Sequence, residues 1–173
     1  GGEVDEGVFR GALKKGKKHG KWIRYYNNGQ LWITEEYKYG LKHGNFERRH
    51  GNGIVAMSGT WFNGQEHGDW FDYFPDGQLK AEWSYVLGKR EGVATSYREN
   101  GTLWERTNLQ NDKNHGLREE YWENGQLKEK GEYSKGKKNG IWHQFWKNGQ
   151  LRDKGSFKLG KRVGQWESYW ENG

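Results

Sequence analysis

No cysteine occurs among the 173 residues, so a disulfide framework, a thiolate metal site and a cysteine nucleophile are all excluded. The chain has one proline and one methionine, and its apolar residues amount to 31%. That share is too small for a thick aliphatic core, and no apolar run approaches the roughly 18 residues that a spanning helix needs. No signal peptide is visible. Without cysteine, no redox compartment is favoured over another. A disordered chain would also be poor in rings. Here 16% of residues are aromatic, with 11 Trp and 10 Tyr. Burial is therefore expected to come from aromatic side chains in a thin, folded structure. The 28 glycines fit many short strands joined by turns. A net charge of +6 suits an acidic protein, an anionic lipid surface or nucleic acid, and selects none of them.

What the chain has is a period. Gly20, Gly44, Gly68, Gly92, Gly116, Gly140 and Gly164 recur every 24 residues without insertion or deletion. A strict short period means a stack of like supersecondary units rather than a globule around one pocket, so function is expected on an extended surface. Take the marker glycine as position zero. Position two holds Trp22, Phe46, Trp70, Ala94, Arg118, Trp142 and Trp166. Positions five and six hold ring pairs such as Tyr25-Tyr26 and Phe145-Trp146. Asn-Gly or Asp-Gly follows, from Asn28-Gly29 to Asn172-Gly173, then an aliphatic residue such as Leu31 or Leu151. Position seventeen is again a ring, as in Tyr37, Trp61, Tyr85, Tyr133 and Phe157, and a second turn surrounds Gly16, Gly40, Gly64, Gly88, Gly136 and Gly160.

Asn-Gly between alternating segments predicts a hairpin, because both residues accept positive φ. Each repeat thus reads as strand, tight two-residue turn, strand, looser turn. That register pairs position six with eleven, two with fifteen and zero with seventeen. It sets Trp142 opposite Gly155 and Gly140 opposite Phe157, so that rings cover backbone left bare by glycine. Positions one, three and five, with twelve, fourteen and sixteen, form a wetter face, where Glu119 meets Lys130. The expected fold is all-β: an elongated single-layer antiparallel meander of stacked 24-residue hairpins. It forms one repeat domain over 1–173, with half repeats at 1–19 and 164–173 and full repeats at 20–43, 44–67, 68–91, 92–115, 116–139 and 140–163.

The frame G-x-W-x-x-Y-Y-x-N-G-x-L, carried by Gly20 to Leu31 and by Gly140 to Leu151, resembles the MORN repeat, especially its longer bacterial variant. The resemblance covers residues from about 9 to 173. It implies a hairpin solenoid and non-catalytic work. Bacterial chains of this kind resemble antitoxins or immunity proteins that occlude a cognate toxin, while eukaryotic relatives imply membrane junctions, anionic phospholipid and scaffolding. No ligand residue is carried over, and the compartment stays open between cytoplasm, periplasm and membrane surface if a leader preceded the chain.

Two repeats depart from the frame. Ala94, Arg98 and Asp112 break the fourth; Arg49 and His50 replace the ring pair of the second. With the position-five rings they make a candidate protein-partner patch of Arg48, Arg49, His50, Tyr73, Tyr97, Arg98 and Tyr121, against a reading as neutral drift. The looser turns carry a candidate basic edge of Lys14, Lys15, Lys17, Lys18, Lys135, Lys137, Lys138, Lys161 and Arg162, suited to phospholipid or an acidic toxin, or serving only to keep a ring-rich chain soluble. Nucleic acid fits less well, because the rings are committed to packing at fixed register. Self-association through the ring face is compatible with each reading.

Catalytic and metal chemistry find no motif. Gly11 to Lys18 has P-loop spacing without the Ser/Thr for Mg²⁺, and the pattern recurs at Gly131 and Gly155 as hairpin architecture. His19, His43, His67 and His115 form a row, but equivalent positions lie about 9.6 Å apart, too far to share one metal, so turn hydrogen bonding or ring packing is expected of them. Neighbouring carboxylates such as Glu119-Glu120 point to opposite faces. Asn100-Gly101-Thr102 is a sequon in an obligatory turn. No cofactor is implied.

Overall fold

The computed structural model describes residues 9–172, so residues 1–8 and Gly173, the second residue of the last Asn-Gly pair, lie outside the described part. The described residues divide into two compact units after Gly88. The first contains β1 (Arg10–Lys14), β2 (Lys17–Tyr25), β3 (Leu31–Lys38), β4 (Leu41–Arg49), β5 (Val55–Phe62), β6 (Gln65–Tyr73) and β7 (Leu79–Val86). The second contains β8 (Lys89–Tyr97), β9 (Leu103–Gln110), β10 (Lys113–Tyr121), β11 (Leu127–Ser134), β12 (Lys137–Phe145), β13 (Leu151–Lys158) and β14 (Lys161–Ser168). Within each unit every strand pairs antiparallel with its neighbours in sequence, giving a one-layer hairpin meander without helices among the described residues.

The turns are the reverse of expectation. Asn-Gly does not make the two-residue turn. Tyr26 N–H donates to Gln30 O (2.8 Å) and Gly29 N–H to Tyr26 O (2.9 Å), which closes a three-residue loop with only Gly29 at positive φ. Asn28 acts instead through its side chain, whose Oδ1 accepts from Gln30 N–H at 3.0 Å. The same bond recurs at Asn52, Asp76, Asn100, Asn124 and Asn148. This Asx turn is why Asn or Asp stands there. The turn read as looser is the two-residue one: Lys14 pairs with Lys17, and both Lys15 and Gly16 have positive φ, as the mirror-image hairpin turn requires.

A second irregularity rescues most of the register. Position five, not six, faces the leucine (Tyr25 opposite Leu31), so that expected pairing fails. A bulge beyond it then restores Trp22 opposite Glu35 and Gly20 opposite Tyr37. Trp142 opposite Gly155, Gly140 opposite Phe157 and Glu119 opposite Lys130 all stand in register, but the expected Glu119–Lys130 charge pair does not form: the Glu119 carboxylate takes the Tyr121 hydroxyl and approaches Arg106 instead. The marker glycine sits in a further bulge on the other side of its strand, between the pairs Lys130–His143 and Glu132–Asn139 in the case of Gly140. All seven marker glycines have positive φ, which explains their strict recurrence.

Rings do cover glycines, but across the two-residue turn. The Trp142 indole lies over Gly131, Trp166 over Gly155, Trp70 over Gly59 and Trp22 over Gly11. Trp142 is only 1% exposed, the deepest side chain described. Its Nε1–H donates to Glu132 O at 3.1 Å, as Trp22 donates to Ala12 O at 3.2 Å. Tyr133 and Phe157 pack edge-on against Trp142, with ring centroids at 5.2 and 6.0 Å. A methyl at Gly131 would collide with the indole. Gly131→Ala is therefore expected to cost about 1–3 kcal/mol in urea unfolding. Gly51→Ala, at an open position without positive φ, should stay within about 0.5 kcal/mol.

Candidate functional site

Each unit has a ring face and a wet face, and its hairpin ends are tied by ladders that repeat with the sequence. At the two-residue turns, Gly40 N–H donates to Lys18 O (2.7 Å), Gly64 to Lys42 O (2.7 Å) and Gly136 to Asn114 O (2.8 Å). The histidine row belongs to this ladder. Nδ1 of His19, His43, His67 and His115 accepts from the backbone N–H of Tyr39, Asn63, Leu87 and Lys135. That is the turn hydrogen bonding read from the sequence. Where the row has Glu91, its carboxylate accepts from Asn111 N–H at 2.8 Å.

At the three-residue loops, the position-six side chain donates to the position-five carbonyl of the following repeat, except at Phe74, which has no donor. Tyr26 reaches Arg49 O (2.6 Å), His50 reaches Tyr73 O (2.8 Å), Arg98 reaches Tyr121 O (2.7 Å), and Trp122 reaches Phe145 O (3.1 Å). The irregular residues His50 and Arg98 thus replace a ring without losing the bond. Arg49 bonds Gly53 O and the Glu47 carboxylate. Arg48 faces Ile33 and Met57 across its neighbouring strands. Tyr73 lies beside Phe71 (6.4 Å), and Tyr121 donates to Glu119 (3.2 Å), which puts position-five rings on the wet face with position three. Of the candidate patch, Arg48, Arg49, His50 and Tyr73 belong to the first unit, and Tyr97, Arg98 and Tyr121 to the second.

The candidate basic edge separates into two kinds of residue. Lys14, Lys15, Lys17, Lys135, Lys137 and Lys161 are exposed at two-residue turns. Lys18, Lys138 and Arg162 instead cover rings. The Lys18 ammonium is 4.7 Å from the Trp22 centroid, Lys138 is 3.8 Å from Trp142, and Arg162 is 4.0 Å from Trp166. Burial against the rings lowers Lys18 below the ordinary lysine value, only partly offset by Glu35. In the first unit the turns also expose apolar side chains beside the lysines: Leu13, Tyr39, Leu41, Phe62 and Leu87.

Arg118 is a site that the sequence reading passed over. It takes the tryptophan position, and three strands bring carboxylates to it: Glu105 (2.8 Å), Glu120 (3.2 Å) and Glu129 (3.2 Å). Lys128 pairs with Glu120 (2.7 Å) and Lys138 with Glu129 (2.9 Å), so three cations balance three anions. Burial, which opposes the charged forms, is outweighed by these partners: Arg118 is raised above its usual value and Glu120 lowered below its own. The only sequence signal was Arg118 itself, standing where the period calls for an indole. Among the described residues no group of His, Asp and Glu is arranged to hold a metal.

On the wet face of the second unit, position one is apolar and exposed in three of the four strands that carry it, Val93 (50%), Leu117 (42%) and Ile141 (57%), and is Gln165 in the last. Leu117 and Ile141 flank a groove of about 440 Å³ that also touches Glu119, Lys130, Glu132 and His143. In the first unit the same position holds Lys21, Asn45 and Asp69.

Five stretches of the chain, 18–39, 66–86, 90–111, 114–135 and 138–159, match the family described as the MORN repeat variant. The unmatched gap falls on the second repeat, one of the two that depart from the frame; the fourth, which departs more, still matches. None of the curated proteins matches the chain.

Replacing Arg118 by Ala leaves three carboxylates crowded without their central cation. The expected loss is about 3 kcal/mol at neutral pH, the lower end for buried pairs because the cluster is partly exposed. Glu120 is lowered in the folded state, so its stabilisation is present at neutral pH and lost as pH falls through its folded value. Acidification below the usual glutamate range should destabilise the wild type and narrow its gap to Arg118→Ala, as read by chemical unfolding across pH.

Proposed function

Because the chain belongs to the MORN repeat variant family, whose repeats are binding modules for proteins and membranes, we propose that it is a non-enzymatic protein-binding module that occludes a partner, in the manner of an antitoxin or immunity protein that covers a cognate toxin. The observation that supports this is the wet face. Ring-face side chains are spent on covering their own backbone, and the loop and turn donors are spent on carbonyls. Val93, Leu117 and Ile141 have no such task and lie exposed together on one face. Aligned exposed apolar residues mark an interaction site more often than scattered ones do. Tyr97 and Tyr121 of the candidate patch share this face, and Arg98 anchors the loop beside it.

A second reading rests on the two-residue turns of the first unit. Leu13, Tyr39, Leu41 and Phe62 are exposed among Lys14, Lys15 and Lys17, and a mixture of basic and apolar side chains suits an anionic lipid surface.

The test is affinity capture from the source cells, washed at low and at high salt. A stoichiometric protein that survives high salt, and whose own activity is blocked by this chain, supports occlusion. Capture of nothing but anionic vesicles, lost at high salt and abolished by Lys14→Glu, Lys15→Glu and Lys17→Glu, overturns it in favour of the lipid reading. Charge reversal of Arg48, Arg49 and Arg98 is expected to weaken a protein complex if the irregular repeats belong to its footprint.

A further inference from the structure

We infer that the wet face of the second unit takes one amphipathic helix of a partner protein, laid across the strands with an acidic flank. The inference rests on the protein-binding reading and names its ligand chemistry.

Spacing selects a helix. Val93 lies on β8, Leu117 on β10 and Ile141 on β12, each two strands from the next. Two inter-strand steps are about 9.6 Å. On an α-helix, residues seven apart lie on nearly the same line and are separated by about 10.5 Å. An extended segment repeats its same-face side chains at about 6.7 or 13 Å and cannot keep step with the stripe. Three anchors at i, i+7 and i+14 would meet the three apolar residues over a helix about 22 Å long.

Charge sets the flank. Position three of each repeat pairs with position fourteen: Thr95 with Arg106, Glu119 with Lys130, and His143 with Lys154. Arg106, Lys130 and Lys154 therefore form a row that keeps the stripe's spacing, about one side-chain step away along the strands, within the roughly 10 Å width of a helix. Glu119 answers Arg106 only at 3.9 Å, and neither Lys130 nor Lys154 has an ion-pair partner among the described residues. Burial, then the charges of Lys130 and Lys154, hold His143 below the ordinary imidazole value, so at neutral pH it adds a neutral wall to the groove. A helix with apolar residues on the seam and Glu or Asp along one side satisfies both rows.

The experiment uses the full chain and a synthetic three-heptad helix with leucine at i, i+7 and i+14 and glutamates along one flank, titrated by fluorescence anisotropy. Saturable binding is expected. Leu117→Glu with Ile141→Glu should weaken it more than about tenfold. Arg106→Glu with Lys130→Glu should weaken the acidic helix and favour the same helix with lysines in place of glutamates. The milder pair Leu117→Ser and Ile141→Ser serves if the glutamate variant fails to fold. Absence of binding, equal binding of both flank charges, or indifference to the Leu117 and Ile141 changes overturns the inference. So does a wild-type dimer in sedimentation that those changes dissolve, since the occupant is then a second copy. A captured native partner that ignores Leu117→Glu and Ile141→Glu removes the helix and leaves the occlusion reading standing. Failure to capture any protein removes the occlusion reading, while the titration still decides the groove.

Discussion

An indole laid over a glycine of the neighbouring strand is the contact on which this architecture depends. One layer of sheet has no second layer to bury its apolar side, so it must bury that side against its own backbone. Glycine supplies a bare floor, and tryptophan supplies the largest side chain that can cover it. The cation that stacks on the outer side of the indole, Lys138 on Trp142 or Arg162 on Trp166, completes the sandwich while keeping its charge near water. Rings, glycines and lysines are thus linked choices, and the chain's poverty in aliphatic residues follows from them.

The exceptions obey the same constraint with other chemistry. Glu35 stands where other repeats have the covered glycine. It is buried, and accepts Lys42 at 2.7 Å and the Tyr37 hydroxyl at 2.9 Å. Arg118 stands where other repeats have the indole, and three glutamates gather around it. In both places the ring-over-glycine pair gives way to a charged group, and the neighbouring strands supply its counter-charges. A lone replacement would have left a desolvated charge, which is why Arg118 cannot be read apart from Glu105, Glu120 and Glu129.

The period, the strands and the glycine-facing register were legible because they depend on spacing alone. The turns were not. Asn28 and its equivalents look like positive-φ residues, yet they act through an Asx hydrogen bond, and only Gly29 takes the left-handed conformation. The three-residue loop displaces the register by one, and the adjoining bulge displaces it back. The outer pairings therefore read correctly for a wrong reason, while the pairing of position six with the leucine failed. The direction of cover was also hidden: Trp142 faces Gly155 in register but lies over Gly131, a matter of side-chain rotamer that spacing does not reveal. His50 and Arg98 looked like departures because residue type changed, whereas the bond to the next repeat's carbonyl did not.

The wet-face stripe escaped notice for a related reason. Reading by period averages over repeats, and position one averages to nothing: Lys21, Asn45 and Asp69 in the first unit, Val93, Leu117, Ile141 and Gln165 in the second. The side chain at this position points away from the rings and makes no rung of either ladder; its one side-chain bond among the described residues is Asp69 accepting from Ser84 Oγ at 2.6 Å. A position free of folding duty can change without structural cost, and the scaffold still holds whatever stands there at a fixed pitch. Ring-face and ladder positions specify the sheet; the positions they leave free are where one chain of this family can come to differ from another in what it holds. In this chain the second unit has used that freedom to place three branched side chains in line beside three cations.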